Sequence, residues 1–364
     1  MKYVLMLLFY VQSACTNTTS YLQDLEEFGY CVIPNVLSVF ETEILYQRVW
    51  HEFIEKAWPH CRINDMSNWK DAFPKHNNKG IFSGPAGQIQ VMWDLRQDQR
   101  IVDVFAQIWN TEDLIVSMDG LSFMCPPEIR EGFIEPWLHV DQGVLKRQDN
   151  VTHSNHPPIE FLSESCLKTQ PYTVQGQFLF EDSCDGDGGF YCIPGSHLRF
   201  AEFSSYLDIL TKQNTLTTDE QRKAKIQFLE DFFSNHTDAT GKPYFKRHVK
   251  APRGSLILWD SRTVHWNQHA SKDRPHQDIP KVRMVGYLCY VPKARLITDH
   301  DKALRKEAFT KGVATGHNPA KPELKYTKDH IQKDYRQYLE DPSYIQPTID
   351  LTPLGWSLLG ISDD

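Results

Sequence analysis

Three short segments carry residue types that together could do metal chemistry: Trp137-Leu138-His139-Val140-Asp141, Leu258-Trp259-Asp260-Ser261-Arg262-Thr263-Val264-His265, and Lys281-Val282-Arg283-Met284-Val285. In a strand, residues two apart point to one face, so His139 and Asp141 can offer an imidazole nitrogen and a carboxylate oxygen to a single ion. His265, read as the end of an apolar strand, would complete the set. Two histidines and one carboxylate cover one face of an octahedral ion and leave the opposite positions open, which suits non-heme Fe(II) and oxygen activation. Arg283 opens another apolar run. Its planar guanidinium matches a carboxylate through two parallel hydrogen bonds, so it is the expected partner of a dicarboxylate held beside the metal. A His-x-Asp triplet alone arises often by chance. The reading rests on the conjunction, to which Gly188-Gly189-Phe190-Tyr191-Cys192-Ile193-Pro194-Gly195-Ser196-His197 adds a short apolar strand that stops at Pro-Gly.

Taken in order, His139-x-Asp141, Gly189-Phe190 through Pro194-Gly195-Ser196-His197, His265 and Arg283 resemble the phytanoyl-CoA dioxygenase family of Fe(II)/2-oxoglutarate oxygenases. Leu25-Glu26-Glu27-Phe28-Gly29-Tyr30-Cys31-Val32-Ile33-Pro34-Asn35-Val36-Leu37 is similar to that family's first strand and helix entry, and Thr315-Gly316-His317-Asn318-Pro319 resembles a tail motif of some members. The resemblance thus runs from Tyr21 to Pro319. It implies Fe(II) on His139, Asp141 and His265, 2-oxoglutarate on two open positions with its far carboxylate on Arg283, and O2 on the last. The implied reaction is oxidative decarboxylation to succinate and CO2 coupled to hydroxylation of a small organic substrate. Asp141 favours hydroxylation over halogenation, because related halogenases lack that carboxylate. The ligands must be deprotonated, so metal affinity is expected to fall in acid. One departure concerns the stretch from His265 to Arg283, which is longer than the family pattern and holds Ser271-Lys272-Asp273-Arg274-Pro275. Arg274 is therefore a rival for the clamp. Arg283 is preferred because the run Met284–Val291 has strand composition, whereas Arg274 lies among charged and turn residues and is expected to be solvated.

Further site candidates come from alternation. In Tyr172–Phe180, Val174, Phe178 and Phe180 alternate with Gln175, Gln177 and Leu179. Gln175 or Gln177 either lines the pocket and bonds co-substrate or substrate, or lies on the solvated face of an outer strand. Asn267 could bind a 2-oxoglutarate carboxylate oxygen; its other reading is a turn residue. Trp137 and Trp259 read as core or pocket wall. His153-Ser154-Asn155-His156 and Asp299-His300-Asp301 hold ligand types but lack apolar strand neighbours, and are read as surface.

The elements that must position these residues form a mainly β chain with flanking helices, for which a double-stranded β-helix, the jelly-roll or cupin-like core, is the natural architecture. Strands are expected at Leu114–Ser117, Trp137–Asp141, Tyr172–Phe180, Phe190–Ile193, Lys246–Val249, Leu256–Trp259 and Met284–Val291. Ser38-Val39-Phe40-Glu41 is a capping box opening an amphipathic helix through Ile44, Leu45, Val49 and Ile54 toward Trp58. A second helix should follow Asp98, with Ile101, Phe105, Ile108 and Trp109 inward. The expected domains are a catalytic unit over 20–295 with a helical insertion near 218–233, and a helical or irregular extension over 296–364 that includes a charged helix at Lys302–Lys311.

With 364 residues, 40% hydrophobic and 12% aromatic, the chain can bury a sizeable core. A formal charge of -8 without a basic stripe argues against nucleic acid and acidic lipid surfaces. The partners expected are a small-molecule substrate and O2. Two other classes fit the residues: a jelly-roll protein that binds a metal or ligand without turnover, and a cupin-like metal-dependent hydrolase or isomerase. The first has no use for the Arg283 clamp, and a hydrolase would favour zinc.

Lys2 precedes an apolar run from Tyr3 to Val11 and then Gln12-Ser13-Ala14, the pattern of a signal peptide over 1–14, too short to span a bilayer. The other reading is a buried first helix of a cytoplasmic enzyme. Sequons at Asn17, Asn150 and Asn235 fit a secretory route. The eight cysteines leave the redox compartment open, since Cys31, Cys192 and Cys289 sit in apolar runs suited to free buried thiols. The secretory reading predicts that expression in a secretory host gives a mature N-terminus near Cys15 and glycan on Asn150 or Asn235. Mass spectrometry that finds an intact, unglycosylated chain points instead to the cytoplasm.

Overall fold

A computed structural model of the chain describes residues 18–74, 80–132, 137–142, 172–211, 217–275, 280–296, 298–324, 339 and 346–361. Ten strands organise it: β1 Tyr30–Ile33, β2 Ile81–Phe82, β3 Leu114–Val116, β4 Leu121–Met124, β5 Val174–Leu179, β6 Gly189–Cys192, β7 Arg247–His248, β8 Leu256–Asp260, β9 His265–Gln268 and β10 Arg283–Pro292. They form two antiparallel sheets. The larger runs β1-β8-β5-β10-β4-β2, with β3 also on β10; the smaller runs β7-β6-β9.

Register decides which side chains meet. Gln175 lies opposite both Trp259 and Cys289, and Gln177 opposite Ile257 and Tyr287, so these residues share one face of the larger sheet. That face packs on Phe190 and Cys192 of the smaller sheet through Ile257, Trp259, Leu179 and Val285. The reverse face presents Phe178, Leu256, Leu258, Leu288 and Tyr290 to Trp50, Phe53, Trp93 and Phe105 of the N-terminal helices. The smaller sheet turns Trp266 and Tyr191 toward the helices Phe200–Thr211 and Thr218–Ser234. The result is two sheets face to face between two helical layers, as alternation of apolar positions demands.

Local signals explain the helices. The Ser38/Glu41 capping box forms, and the helix Val39–Val49 runs on through a π-helical turn at Trp50–Ile54. Its buried stripe is Thr42, Tyr46, Val49, Trp50 and Phe53, which leaves Ile44 outside the stripe and 45% exposed, contrary to the sequence expectation. Asp98 caps Gln99–Trp109, with Ile101 and Phe105 buried as expected. The insertion helix spans Thr218–Ser234, and the charged helix spans Asp299–Thr310, whose first residues, Asp299-His300-Asp301, lie at the surface. The helix Phe200–Thr211 and the short strands β2 and β4 were not anticipated. Among the described residues, no helix is long and apolar enough to cross a membrane, and Cys31, Cys61, Cys125, Cys184, Cys192 and Cys289 are free thiols. Residues 1–14, Asn17, Asn150 and His153–His156 lie outside the described residues.

Two expectations differ. Trp137–Asp141 is not a strand: it makes a single bridge, His139 to His265. His265 opens a strand instead of ending one: β8 covers the expected Leu256–Trp259 and ends at Asp260, a turn closed by Thr263 N–H on the Asp260 carbonyl intervenes, and β9 begins at His265. The Pro194-Gly195-Ser196-His197 motif sets that start. Gly195 takes φ 75°, which glycine tolerates, and its N–H donates to Phe28 O (2.8 Å). Ser196 Oγ accepts the Val264 N–H (2.8 Å), Ile193 N–H donates to Val264 O (2.9 Å), and His197 Nε2 donates to Glu26 O (2.9 Å). The motif is a staple between the first helix and the strand that carries His265.

Ser196→Ala is expected to leave the Val264 N–H buried without an acceptor, lowering unfolding free energy by about 1–3 kcal/mol. Urea denaturation at unchanged m-value checks this.

Candidate metal centre

His139, Asp141 and His265 converge, their ligand atoms lying within 4.8 Å of one another. The convergence is built from backbone. His139 and His265 exchange N–H···O=C bonds of 3.2 and 3.0 Å, and Asp141 and Gln142 both donate their N–H to Ser261 O (3.0 and 2.9 Å). Ser261 Oγ donates to Gln142 Oε1 (2.9 Å) and accepts the Thr173 N–H (3.0 Å), tying the ligand segment to β5.

The donor set fits a divalent cation. His139 Nδ1 donates to Trp137 O (3.0 Å) and His265 Nδ1 to Thr263 O (2.9 Å). A carbonyl can only accept, so each neutral ring carries its proton on Nδ1 and its lone pair on Nε2. Those Nε2 atoms stand 3.4 Å from Asp141 Oδ1 and 3.1 Å from Asp141 Oδ2. Lone pairs facing a carboxylate at that range repel unless positive charge lies among them. The spacing also matches adjacent ligands on a metal with bonds of about 2.1 Å, which lie about 3 Å apart. Burial pushes the Asp141 pKa up, but positive charge at His317, His139 and His265 outweighs it and holds the carboxyl well below its usual range, so Asp141 stays ionised wherever cationic charge occupies this point. Rings fix the imidazoles: Trp137 stacks on His139 at 4.1 Å and 17°, while Phe190 lies 5.5 Å and Trp259 5.3 Å from the His265 ring.

Arg283, first residue of β10, points at the same inner space. Its guanidinium donates to Ser122 Oγ (2.8 Å), Asn267 Oδ1 (2.9 Å) and Gln177 Oε1 (3.3 Å), and Asn267 Nδ2 in turn donates to Tyr287 OH (3.0 Å). Burial lowers the pKa of Arg283, partly offset by Tyr287. No carboxylate bonds it among the described residues. Asn267 is a strand residue with both ends of its amide engaged, not a turn residue. Gln175 and Gln177 are both buried on the inner face, and only Gln177 touches Arg283.

Arg274 differs from the sequence expectation. It is not solvated: its side chain is 2% exposed, bidentate on Glu128 (2.7 and 2.9 Å) and bonded to Asp187 (2.6 Å), which Lys281 also neutralises. Local composition reads as loop, yet the loop folds back on carboxylates from distant segments. An arginine already committed to two carboxylates has little left for a third.

Three residues near the centre escaped the sequence reading as site residues. Asp119 and His317 interact electrostatically with each other and with Asp141, and Ser122 supports Arg283. The Thr315–Pro319 motif was the one available signal for His317.

No protein-family model matches the chain. It is 26% identical to "Ava biosynthesis cluster protein O" of Aspergillus versicolor over 256 residues, 70% of this chain and 71% of the relative. Over 255 residues, 66% of this chain and 68% of the relative, it is 23% identical to a Dictyostelium discoideum protein named "Putative phytanoyl-CoA dioxygenase". The chain is similar to phytanoyl-CoA dioxygenases. Among solved structures, the non-heme alpha ketoglutarate dependent carbocyclase SnoK aligns over 77% of this chain and 85% of its own at TM-score 0.43 and 16% identity. HygX from Streptomyces hygroscopicus with iron bound aligns over 76% and 87% at TM-score 0.41 and 16% identity.

Arg274→Ala strands the Glu128 carboxylate and leaves Asp187 with Lys281 alone, and is expected to destabilise the fold by about 3–5 kcal/mol. Arg283→Ala leaves only neutral groups behind and should cost clearly less. Parallel chemical denaturation of the two variants decides; equal losses contradict the assignment of Arg274 as the structural arginine.

Proposed function

We propose that this protein is an Fe(II)- and 2-oxoglutarate-dependent dioxygenase that hydroxylates a small organic substrate, with residues 20–295 as catalytic unit and 296–364 as an extension. The two facing sheets are the halves of a double-stranded β-helix. What carries the reading is one pairing: a His-Asp-His donor set beside an arginine that has neutral partners only. His265 and Asn267 stand two residues apart on one face of β9, about 7 Å along the strand. The arginine that binds Asn267 is thus offset from the metal ligands by roughly the length of a five-carbon dicarboxylate.

His139, Asp141 and His265 would hold the iron, and the iron with 2-oxoglutarate would supply oxygen activation and oxidative decarboxylation to succinate and CO2. The chain's own residues do the rest. The Nδ1–H bonds to Trp137 O and Thr263 O keep both imidazoles in the ligating tautomer. Ser122, Gln177, Asn267 and Tyr287 hold the guanidinium in place before the co-substrate arrives, so little ordering is left for binding to offset. Phe190 and Trp259 keep water from the His265 ring, and Trp137 covers one face of the His139 ring. A binding protein or a hydrolase has no use for an arginine arranged in this way beside the donor set.

Arg283→Ala removes the co-substrate's partner but no metal ligand. Fe(II) binding should survive while the 2-oxoglutarate requirement rises by well over tenfold, the equivalent of about 2–5 kcal/mol. Anaerobic titration followed by the 2-oxoglutarate-dependent absorbance change reads both constants. A wild type that binds metal but gives no such change rules the oxygenase out.

A further inference from the structure

The edge of β10 that pairs with β3 and β4 does not keep one register. Tyr290 faces Val116 and Gly286 faces Leu121, so the four residues Ser117–Gly120 stand against the three residues Tyr287–Cys289. The extra residue is a β-bulge, a device that bends a strand and re-aims a side chain. It is firmly held. Ser117 N–H donates to Cys289 O (2.8 Å), Tyr287 N–H to Gly120 O (3.2 Å), and buried Arg96 donates to Asp119 O (2.7 Å). Thr315 N–H donates to Met118 O (2.8 Å) and Thr315 Oγ1 accepts the Met118 N–H (3.2 Å), which lays the tail containing His317 along the bulge.

The bulge brings Asp119 within electrostatic reach of Tyr287, Cys289 and Asp141, and the tail brings His317 to both Asp119 and Asp141. Gln175, register partner of Cys289, is 4% exposed and its Nε2 has no partner among the described residues. Trp259, opposite Gln175, likewise buries an unpartnered Nε1 while its ring lies 5.3 Å from that of His265. Buried polar groups are normally paired, so unpaired donors beside a reactive centre mark a ligand's place. Among the described residues, Asp119, His317, Gln175 and Trp259 make no hydrogen bond to Arg283, whose partners are Ser122, Gln177, Asn267 and Tyr287.

We propose that Asp119, His317 and Gln175 form the substrate-recognition set, and that the substrate is a small polyhydroxylated molecule, a polyol or carbohydrate, and not a hydrocarbon chain. The proposal rests on the dioxygenase reading. A carboxylate needs a donor and an amide N–H needs an acceptor; a hydroxyl group is both. Asp119 Oδ1 accepts the Gly120 N–H (2.7 Å), which leaves its second oxygen for a ligand; an acyl chain would offer nothing to that oxygen or to the Gln175 and Trp259 N–H groups, and sites built to bond a substrate hydroxyl reject analogues that lack it strongly.

The test uses the full chain loaded anaerobically with Fe(II) and 2-oxoglutarate. Asp119→Asn and Gln175→Leu are expected to bind both within about threefold of the wild type, which also shows that they fold. Succinate release is then screened against small carbohydrates and polyols, and in parallel against fatty acids and their coenzyme A thioesters. A member of the first set should stimulate the wild type, with its KM raised about tenfold or more in each variant. Stimulation only by the lipid set, stimulation by neither, or an unchanged KM in Asp119→Asn overturns the proposal. So does a variant that loses 2-oxoglutarate affinity as Arg283→Ala should, since that residue then serves the co-substrate. A wild type without any 2-oxoglutarate-dependent absorbance change fails at the earlier step and removes the oxygenase reading itself, and this substrate class with it.

Discussion

The paired backbone bonds between His139 and His265 are the constraint on which the chemistry depends, because they make two segments so distant in sequence present their side chains to one point. The His139 segment has no ladder of its own. It is held by that bridge and by Ser261 O, which receives the N–H groups of Asp141 and Gln142. The β8–β9 turn that supplies Ser261 is itself held by Thr263 Oγ1 on Gly29 O and by Ser196 Oγ on the Val264 N–H. Gly29 takes φ 74° and has no room for a Cβ against His197 and Thr263. The position of the metal ligands is thus set by close contact among three loops, which explains why residues without catalytic chemistry stand in a recognisable motif.

Four arginines do three different jobs here, and their partners tell them apart. Arg96 and Arg305 are fully buried and bond backbone carbonyls only: Gly87 and Asp119 for the first, Leu359, Pro319, Val116 and Leu358 for the second. Burial pulls them down to about 10 and about 9, so both remain charged at neutral pH, and each satisfies carbonyls where chain segments meet. Arg274 is matched to carboxylates. Arg283 is held by neutral dipoles that orient it without discharging it. Only the last arrangement keeps full attraction for an incoming anion in a place where water screens little.

Much of this was legible in the sequence, for local reasons. Alternation in 172–180 placed Gln175 and Gln177 on one face, the Ser38/Glu41 capping box and Asp98 marked helix starts, and the strand composition after Arg283 marked β10. The convergence of His139, Asp141 and His265 was argued from residue types, spacing and family resemblance. Its route was not: the pair was expected on a strand, and a single bridge does the work. The helix Phe200–Thr211 and the two-residue β2 went unseen because their patterns are short or lack a clear stripe.

The sequence by itself determined the donor types, the two-residue offset of His139 from Asp141, and the presence of two candidate arginines. Tertiary structure alone decided between those arginines, because the answer lies in Glu128 and Asp187, far from Arg274 along the chain. It alone put both glutamines inside, since alternation says that residues share a face and not which way the face looks. It alone made Asp119 a neighbour of the centre. A bulge is a mismatch between two strands, a property of the pair that neither segment carries in its own residues.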